Sequence, residues 1–372
     1  NVSCRVDAES FVITPSGRSY QSLTPEDLVR VRIDDLSYEK GRLPSTERGV
    51  HAEVYKRYPA VNFVIHTHQE NASVIAASGL AAIPVGPEYP RLGGRVLSAG
   101  YGLPGTKKLW RQVGQALAKS AGQAVIMKHH GALCFGADAA EAFAVASQLE
   151  AACAAFLLDR YWRASGRAEA DPYAIAAFVL GLSSQTLQTL RAAGPKAYGY
   201  SRRTGAGFLW SDGTEEREVR EGEDLAGLPA LPAEVKVHRL IYRRNPWVQA
   251  IRFQATPELL CLAAAGLTIK PLLDDFAQII GLKVRTVAAD DPEGIARAFK
   301  KAGAVLVKDT GALCGGASEE DAAAAGMILQ KTAKALIGAS LCGPVRPLPP
   351  LDSMYLRQAY LRKYAKRIGS KG

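Results

Sequence analysis

Phe63-Val64-Ile65-His66-Thr67-His68 and, further along, Ala124-Val125-Ile126-Met127-Lys128-His129-His130-Gly131 decide how this chain is read. Each is a short apolar run ending in histidines, and such runs read as buried strands. On a strand, residues two apart share a face, so His66 and His68 present two imidazoles on one side. An HxH pair is by itself weak, because ordinary polar histidines produce it too. A second buried strand ending in His129-His130-Gly131 strengthens it, since glycine there lets backbones approach closely at a strand end. Three imidazoles plus a carboxylate would make a tetrahedral metal site with one exchangeable position.

The candidate carboxylate is Glu47, in Leu43-Pro44-Ser45-Thr46-Glu47. The same stretch also reads as a helix start, with Ser45 or Thr46 as cap and Glu47 in the first turn, where the helix dipole favours it. Both readings can hold, and a helix N-terminus rich in hydroxyls is a ready anion site.

Around these motifs the first half alternates strands and helices. Phe11-Val12-Ile13 is a short strand ending in the turn Thr14-Pro15-Ser16-Gly17. Thr24-Pro25 opens a small helix, residues 47–57 have helical spacing, and helices are expected over 71–77, 105–118 and 141–163. A boundary falls near Ser165-Gly166-Arg167 and Asp171-Pro172, followed by a helix from Tyr173 to Ala193. Beyond it the sequence repeats. His51-Ala52-Glu53-Val54-Tyr55 resembles His238-Arg239-Leu240-Ile241-Tyr242, and Lys128-His129-His130-Gly131-Ala132-Leu133-Cys134 resembles Lys308-Asp309-Thr310-Gly311-Ala312-Leu313-Cys314. The expected domains are residues 1–168 and 169–372.

The bulk numbers agree with two domains, since 372 residues exceed what one core usually serves. No apolar run is long enough to suggest a membrane span, and no signal-peptide pattern opens the chain. A start at Asn1 rather than Met suggests that a segment precedes it. Six cysteines without a CxxC pair fit reduced thiols and a cytoplasmic location. The formal charge of +10 is spread along the chain, with mild clustering in the tail at Arg357, Arg362, Lys363, Lys366, Arg367 and Lys371. Neither a nucleic-acid partner nor a membrane is expected; net positive charge could instead steer small anionic substrates inward.

Thr14-Pro15-Ser16-Gly17, Pro44-Ser45-Thr46-Glu47 with His51, His66-Thr67-His68 and His129-His130-Gly131 occur in that order, and together they resemble the signature of the class II aldolase/adducin family, nearest to the L-fuculose-1-phosphate aldolase pattern. The likeness implies an α/β fold of the α+β type, with two class II aldolase-like domains, each a mostly antiparallel mixed sheet flanked by helices. It implies His66, His68 and His130 as metal ligands for Zn2+, one per chain, with Mn2+ or Co2+ as alternatives. It implies Glu47 as catalytic carboxylate and Asn1, Ser16, Gly17, Ser45 and Thr46 as the cradle of a substrate phosphate. The family's catalytic tyrosine has Val85 as its direct match here; Tyr89 could substitute after a loop shift, and Tyr101 is a further candidate. The implied reaction is a retro-aldol cleavage of a small phosphorylated ketose. The alternatives are an epimerase, dehydratase or decarboxylase on a sugar phosphate or sugar acid phosphate, or a non-catalytic adducin-like binding protein. The implied assembly is a homodimer forming a pseudo-tetramer. In the second repeat Phe253, Ala255 and Thr310 stand where the three metal ligands would be, so that copy is expected to be degenerate.

Overall fold

The structure, a computed structural model, describes residues 1–17, 20–39, 41–193, 198–223, 232–299 and 302–369. The chain divides into two compact units, Asn1–Ala164 with Gly338–Arg346, and Ser165–Ile337 with Pro347–Gly372. Within the basic tail, Lys371 and the side chains of Lys363, Lys366 and Arg367 lie outside the described residues.

In the first unit, strands β1 (Val2–Arg5), β2 (Ser10–Ile13), β3 (Val29–Arg32), β4 (Phe63–Thr67), β5 (Ala82–Pro84), β6 (Arg95–Ala99), β7 (Ala124–Met127) and β8 (Gly131–Gly136) form one sheet in the order β3-β2-β1-β4-β8-β7-β6-β5. Every pair is antiparallel except β6 and β7. Helices α1 (Arg48–Arg57), α2 (Glu70–Ser78), α3 (Lys107–Leu117) and α4 (Ala139–Ser165) accompany it. Val50 and Val54 of α1, Leu109 and Val113 of α3, and Val64, Val125 and Leu133 of the sheet share one core, which seats α1 and α3 on that face. By length and composition α4 could cross a membrane. Its buried positions Ala142, Val145, Ala146, Leu149, Ala152, Cys153, Leu157 and Tyr161 recur at spacings of three and four, the pattern of a helix that packs one stripe against a protein core.

The second unit repeats this plan. Strands β9 (Tyr200–Arg203), β10 (Gly207–Ser211), β11 (Glu216–Arg220), β12 (Ala250–Gln254), β13 (Thr286–Val287), β14 (Ala304–Val307) and β15 (Gly311–Gly316) lie in the order β11-β10-β9-β12-β15-β14-β13, again with one parallel pair, β13 and β14. This is the expected pair of mixed, mostly antiparallel sheets flanked by helices. A helix expected from Tyr173 to Ala193 is in fact two, α5 (Pro172–Leu180) and α6 (Ser184–Ala193). Gly181 separates them at φ 64°, a left-handed helix terminator. Helix α7 (Ala233–Arg244) is the counterpart of α1, and α8 (Pro257–Ala264), α9 (Pro292–Ala298) and α10 (Glu319–Ser340) follow the first unit's order; α11 (Pro350–Gly369) has no counterpart there. The largest local difference lies between the second and third strands. The first copy runs from Ile13 to Val29, the second only from Ser211 to Glu216, so the second copy has no equivalent of the Thr14–Gly17 turn.

All six cysteines are free thiols, with Cys134, Cys153, Cys261 and Cys314 buried. Burial pushes the Cys134 thiol up to about 12, so it is a core residue and not a nucleophile.

Candidate metal centre

The three histidines meet where β4 ends and β8 begins. These strands pair with His66 opposite Leu133 and Thr67 opposite Ala132, so His66 lies in the ladder and His68 just past its end. The turn between β7 and β8 delivers His130. His130 N–H donates to Met127 O at 3.0 Å and His129 N–H donates to Ala76 O at 2.9 Å, fixing the turn on both sides. His129 takes φ 61°, the left-handed region that few non-glycine residues enter. That reversal brings His130 back over β4, stacked on His66 with ring centroids 4.7 Å apart and the two Nε2 atoms 3.0 Å apart. The His68 ring is 4.6 Å from His66 and 5.1 Å from His130. One ligand nitrogen from each of the three lies within 4.8 Å of the others.

Gly131 makes this possible. A Cβ at that position would fall 2.3 Å from Thr67 O and 3.2 Å from His66 Cε1. Any side chain there would push β8 off β4 and the imidazole out of place.

Several features suit the group to a divalent cation. Two imidazole nitrogens on one tetrahedral zinc at about 2.0–2.1 Å sit about 3.3 Å apart, so the His66–His130 spacing needs little adjustment. His66 Nδ1 is 3.0 Å from Ala132 O; a carbonyl can only accept, so the proton is on Nδ1 and Nε2 offers its lone pair to the cluster. Burial, with His68 and His130 nearby, holds the His66 pKa well below its ordinary value, so the ring is neutral. Neutral imidazole is the form that coordinates metal. His68 is exposed, whereas His66 and His130 are buried, which leaves one side open to solvent. Thr67 Oγ1 donates to Gln69 Oε1 at 3.0 Å, and Gln69 Nε2 donates to Ala146 O at 2.9 Å, anchoring the chain on either side of His68.

Glu47, not Ser45 or Thr46, holds the N-cap position of α1, without a side-chain cap hydrogen bond; its side chain is only 6% exposed, and its Oε2 is 3.7 Å from His130 Nε2. The Glu47 N–H donates to Ser45 Oγ at 3.2 Å. The loops that carry the expected phosphate residues are joined to each other. Pro15 bridges Pro44, Ser16 N–H donates to Leu43 O at 3.0 Å and Ser45 N–H donates to Thr14 O at 3.1 Å. Gly17 turns at φ 77° next to them, and Gly105 lies close enough to Thr46 that a Cβ there would be 3.2 Å from Thr46 Cβ. Asn1 pairs with the metal-cluster strand itself, its carbonyl accepting from His66 N–H at 2.9 Å.

Tyr89 lies apart from the histidines of its own chain. It is half-buried at the start of a 3-10 turn, Pro90–Leu92, and among the described residues no hydrogen bond or ring contact joins its side chain to the histidines. Tyr101 comes closer, its ring 5.5 Å from that of His129. Motifs alone did not single out a buried chain that runs from Asn1 through His51 and Ser3 to Tyr55. Its signal was present in the repeat, where Ser201 precedes His238 and Tyr242 as Ser3 precedes His51 and Tyr55.

The second copy keeps the turn and loses the ligands. Asp309 adopts φ 57° where His129 does, and Thr310 N–H donates to Val307 O at 3.1 Å. The Thr310 hydroxyl is spent on Lys308 O at 2.9 Å. A Cβ on Gly311 would sit 2.9 Å from Phe253 Cζ, so the phenyl ring fills the place that the His66 imidazole has in the first copy.

Relatives share parts of this chain. Methylthioribulose-1-phosphate dehydratases from Yersinia enterocolitica and Pectobacterium carotovorum are 40% and 41% identical over 76 residues, 20% of this chain and 36% and 37% of those proteins. The matched segment is thus little more than a third of each relative's length. Among solved structures, an L-fuculose 1-phosphate aldolase is 26% identical, over 43% of this chain and 74% of that one, with a TM-score of 0.40. The L-fuculose-1-phosphate aldolase of Thermus thermophilus is 27% identical, over 45% and 86%, with a TM-score of 0.39. The sequence profile of the Class II Aldolase and Adducin N-terminal domain matches residues 1–157 and again residues 195–337. The chain belongs to the class II aldolase/adducin family and carries its domain twice.

Proposed function

We propose that the first unit is a divalent-metal lyase acting on a small phosphorylated ketose, with His66, His68 and His130 as ligands, zinc as the metal and Glu47 as the group that moves the proton. The observation that carries this reading is the buried Glu47 carboxylate, 3.7 Å from His130 Nε2 beside three convergent imidazoles. A cation held by the three imidazoles would lie beside this carboxylate and would supply Lewis-acid stabilisation to negative charge developing on substrate oxygens. Glu47 then lies within reach of a substrate held at the open side and can take up or return a proton there. Asn1, Ser16, Gly17, Ser45 and Thr46 would bind the phosphate through hydroxyls, amides and the N-terminus of α1, spending remote binding energy on orientation.

Two outcomes are open, and they differ in which proton Glu47 takes. If Glu47 removes a proton from a hydroxyl, that oxygen becomes the carbonyl of a departing aldehyde as the adjacent carbon–carbon bond breaks, and the enediolate left behind takes the proton back from Glu47 on carbon. If it removes the proton on the carbon next to the ketone, the β-hydroxyl departs with that proton as water. The first is the aldolase reading. The dehydratase names of the relatives favour the second, over the part of the chain they match. An adducin-like binding role has no use for a metal cluster with an adjacent carboxylate. The test is proton NMR of zinc-loaded protein incubated separately with L-fuculose 1-phosphate and methylthioribulose 1-phosphate. Release of an aldehyde supports cleavage; loss of water to a dicarbonyl product supports dehydration. No turnover of either, or full turnover by Glu47→Gln, would overturn the proposal.

A further inference from the structure

The first unit contains a buried polar chain that ends on Asn1. Tyr55 OH is 2.8 Å from Ser3 Oγ, Ser3 Oγ is 2.7 Å from His51 Nδ1, and His51 Nε2 is 2.6 Å from Asn1 Oδ1. His51 is fully buried, and burial keeps its pKa well below the ordinary value, so the ring is neutral with one donor and one acceptor nitrogen. The chain then has one consistent direction. Tyr55 donates to Ser3, Ser3 donates to Nδ1, and the remaining Nε2–H donates to the Asn1 carbonyl oxygen. With Oδ1 held, the other end of the carboxamide, Nδ2 with its two hydrogens, is the end offered to a ligand. Asn1 lies opposite His66 on neighbouring strands, where directly opposed side chains share a sheet face.

The second copy separates the structural part of this chain from the rest. Ser201 Oγ is 2.7 Å from His238 Nδ1 and 2.8 Å from Tyr242 OH, and Arg203 lies over the Tyr242 ring at 4.7 Å as Arg5 lies over Tyr55. Two residues before Ser201, in the place of Asn1, is Gly199. It turns at φ 68°, and a Cβ there would be 2.3 Å from Ser211 O, so no side chain fits. Ser–His–Tyr thus serves the fold in both copies, but only His51 has a carboxamide to hold.

We propose that His51 is a positioning residue that fixes the Asn1 carboxamide so that its N–H groups face an anionic group of the substrate. The inference rests on the proposed role of Asn1 as a phosphate ligand. The test uses the zinc-loaded full chain and inorganic phosphate as probe, with affinity measured by isothermal titration calorimetry. Asn1→Ala and His51→Phe are each expected to weaken phosphate binding about tenfold, the scale of one hydrogen bond to a charged group. The double variant should bind no more weakly than Asn1→Ala alone. His51→Gln, whose amide can still donate to Asn1, should recover most of the affinity. His238→Phe makes the same substitution in the second copy and should lower the melting temperature without changing phosphate affinity. If Asn1→Ala weakens binding and His51→Phe does not, or if the two effects multiply, His51 acts only on stability and the inference fails. If Asn1→Ala has no effect, the phosphate reading itself is wrong and this inference goes with it.

Discussion

Gly131→Ala perturbs the candidate centre through one carbon atom. The added Cβ would lie 2.3 Å from Thr67 O and 3.2 Å from His66 Cε1. The first contact is about 1 Å shorter than a carbon and an oxygen tolerate without bonding, and the oxygen belongs to the β4 backbone and cannot rotate away. Relief requires β8 to move off β4 at the point where His66, His68 and His130 converge. Overpacking of this kind costs about 1–3 kcal/mol, which in a unit of this size lowers the melting temperature by roughly 2–12 °C. Zinc affinity should fall about 10- to 100-fold, as it does when groups that orient the ligands are disturbed. Gly311→Ala is the control. Its Cβ would meet Gln254 O at 2.5 Å and Phe253 Cζ at 2.9 Å, at φ 143°, so it should destabilise at least as much while leaving zinc affinity unchanged. Calorimetric melting and competition with a chromophoric chelator measure the two effects separately. Zinc affinity and melting temperature both unchanged in Gly131→Ala would refute the claim that this glycine lets the two strands close.

His68 is exposed, so His68→Ala should change stability by less than about 0.5 kcal/mol while abolishing tight zinc binding and turnover; full activity in that variant would remove the metal proposal. Elemental analysis of chelator-rinsed, reconstituted protein should give one zinc per chain, because Phe253, Ala255 and Thr310 offer no comparable ligands; two tightly held equivalents, one of them lost in Glu234→Ala, would contradict this. Burial lowers the His238 pKa to about 3, so the unfolded chain binds the proton more readily: stability from this group is complete above its ordinary value near 6.5 and is lost as pH falls, by about 1.4 kcal/mol per unit. Urea unfolding between pH 6.5 and 5 should accordingly be less pH-dependent by about one proton in His238→Gln, and an unchanged slope would count against it. Two chains are expected to associate in solution; sedimentation of a fully active monomer at micromolar concentration would exclude that.

Much of the fold was legible because it depends on local pattern. The apolar runs at 63–65 and 124–127 are too short for helices, and both are strands. Thr24-Pro25 opens a helical turn as its chemistry predicts, with Asp27 completing a capping box. The histidine trio was legible because its members sit at strand ends, where spacing in sequence translates directly into position. The left-handed conformation of His129 was not, since histidine carries only a weak preference for that region. Nor was the single helical break at Gly181, because an isolated glycine inside an apolar helical pattern is usually tolerated.

The two copies also show which features the fold itself requires. Both bury a serine, a histidine and a tyrosine in one hydrogen-bonded group, and both put a non-glycine residue in the left-handed region before the eighth strand of the plan. The left-handed residue is therefore part of how this hairpin closes, and a metal is not needed to explain it, since Asp309 adopts it beside Thr310 and Phe253. The three imidazoles are different. The second copy builds a similar sheet without them, keeping only Glu234 at the place of Glu47, so packing does not demand the histidines. In the first copy two buried rings stack nitrogen to nitrogen beside a carboxylate that is nearly inaccessible to water. A phenyl ring at the His66 position packs there without any polar group to satisfy. The chain thus holds two solutions to one architecture, one with polar groups gathered at the strand ends and one with those positions filled by residues that only pack.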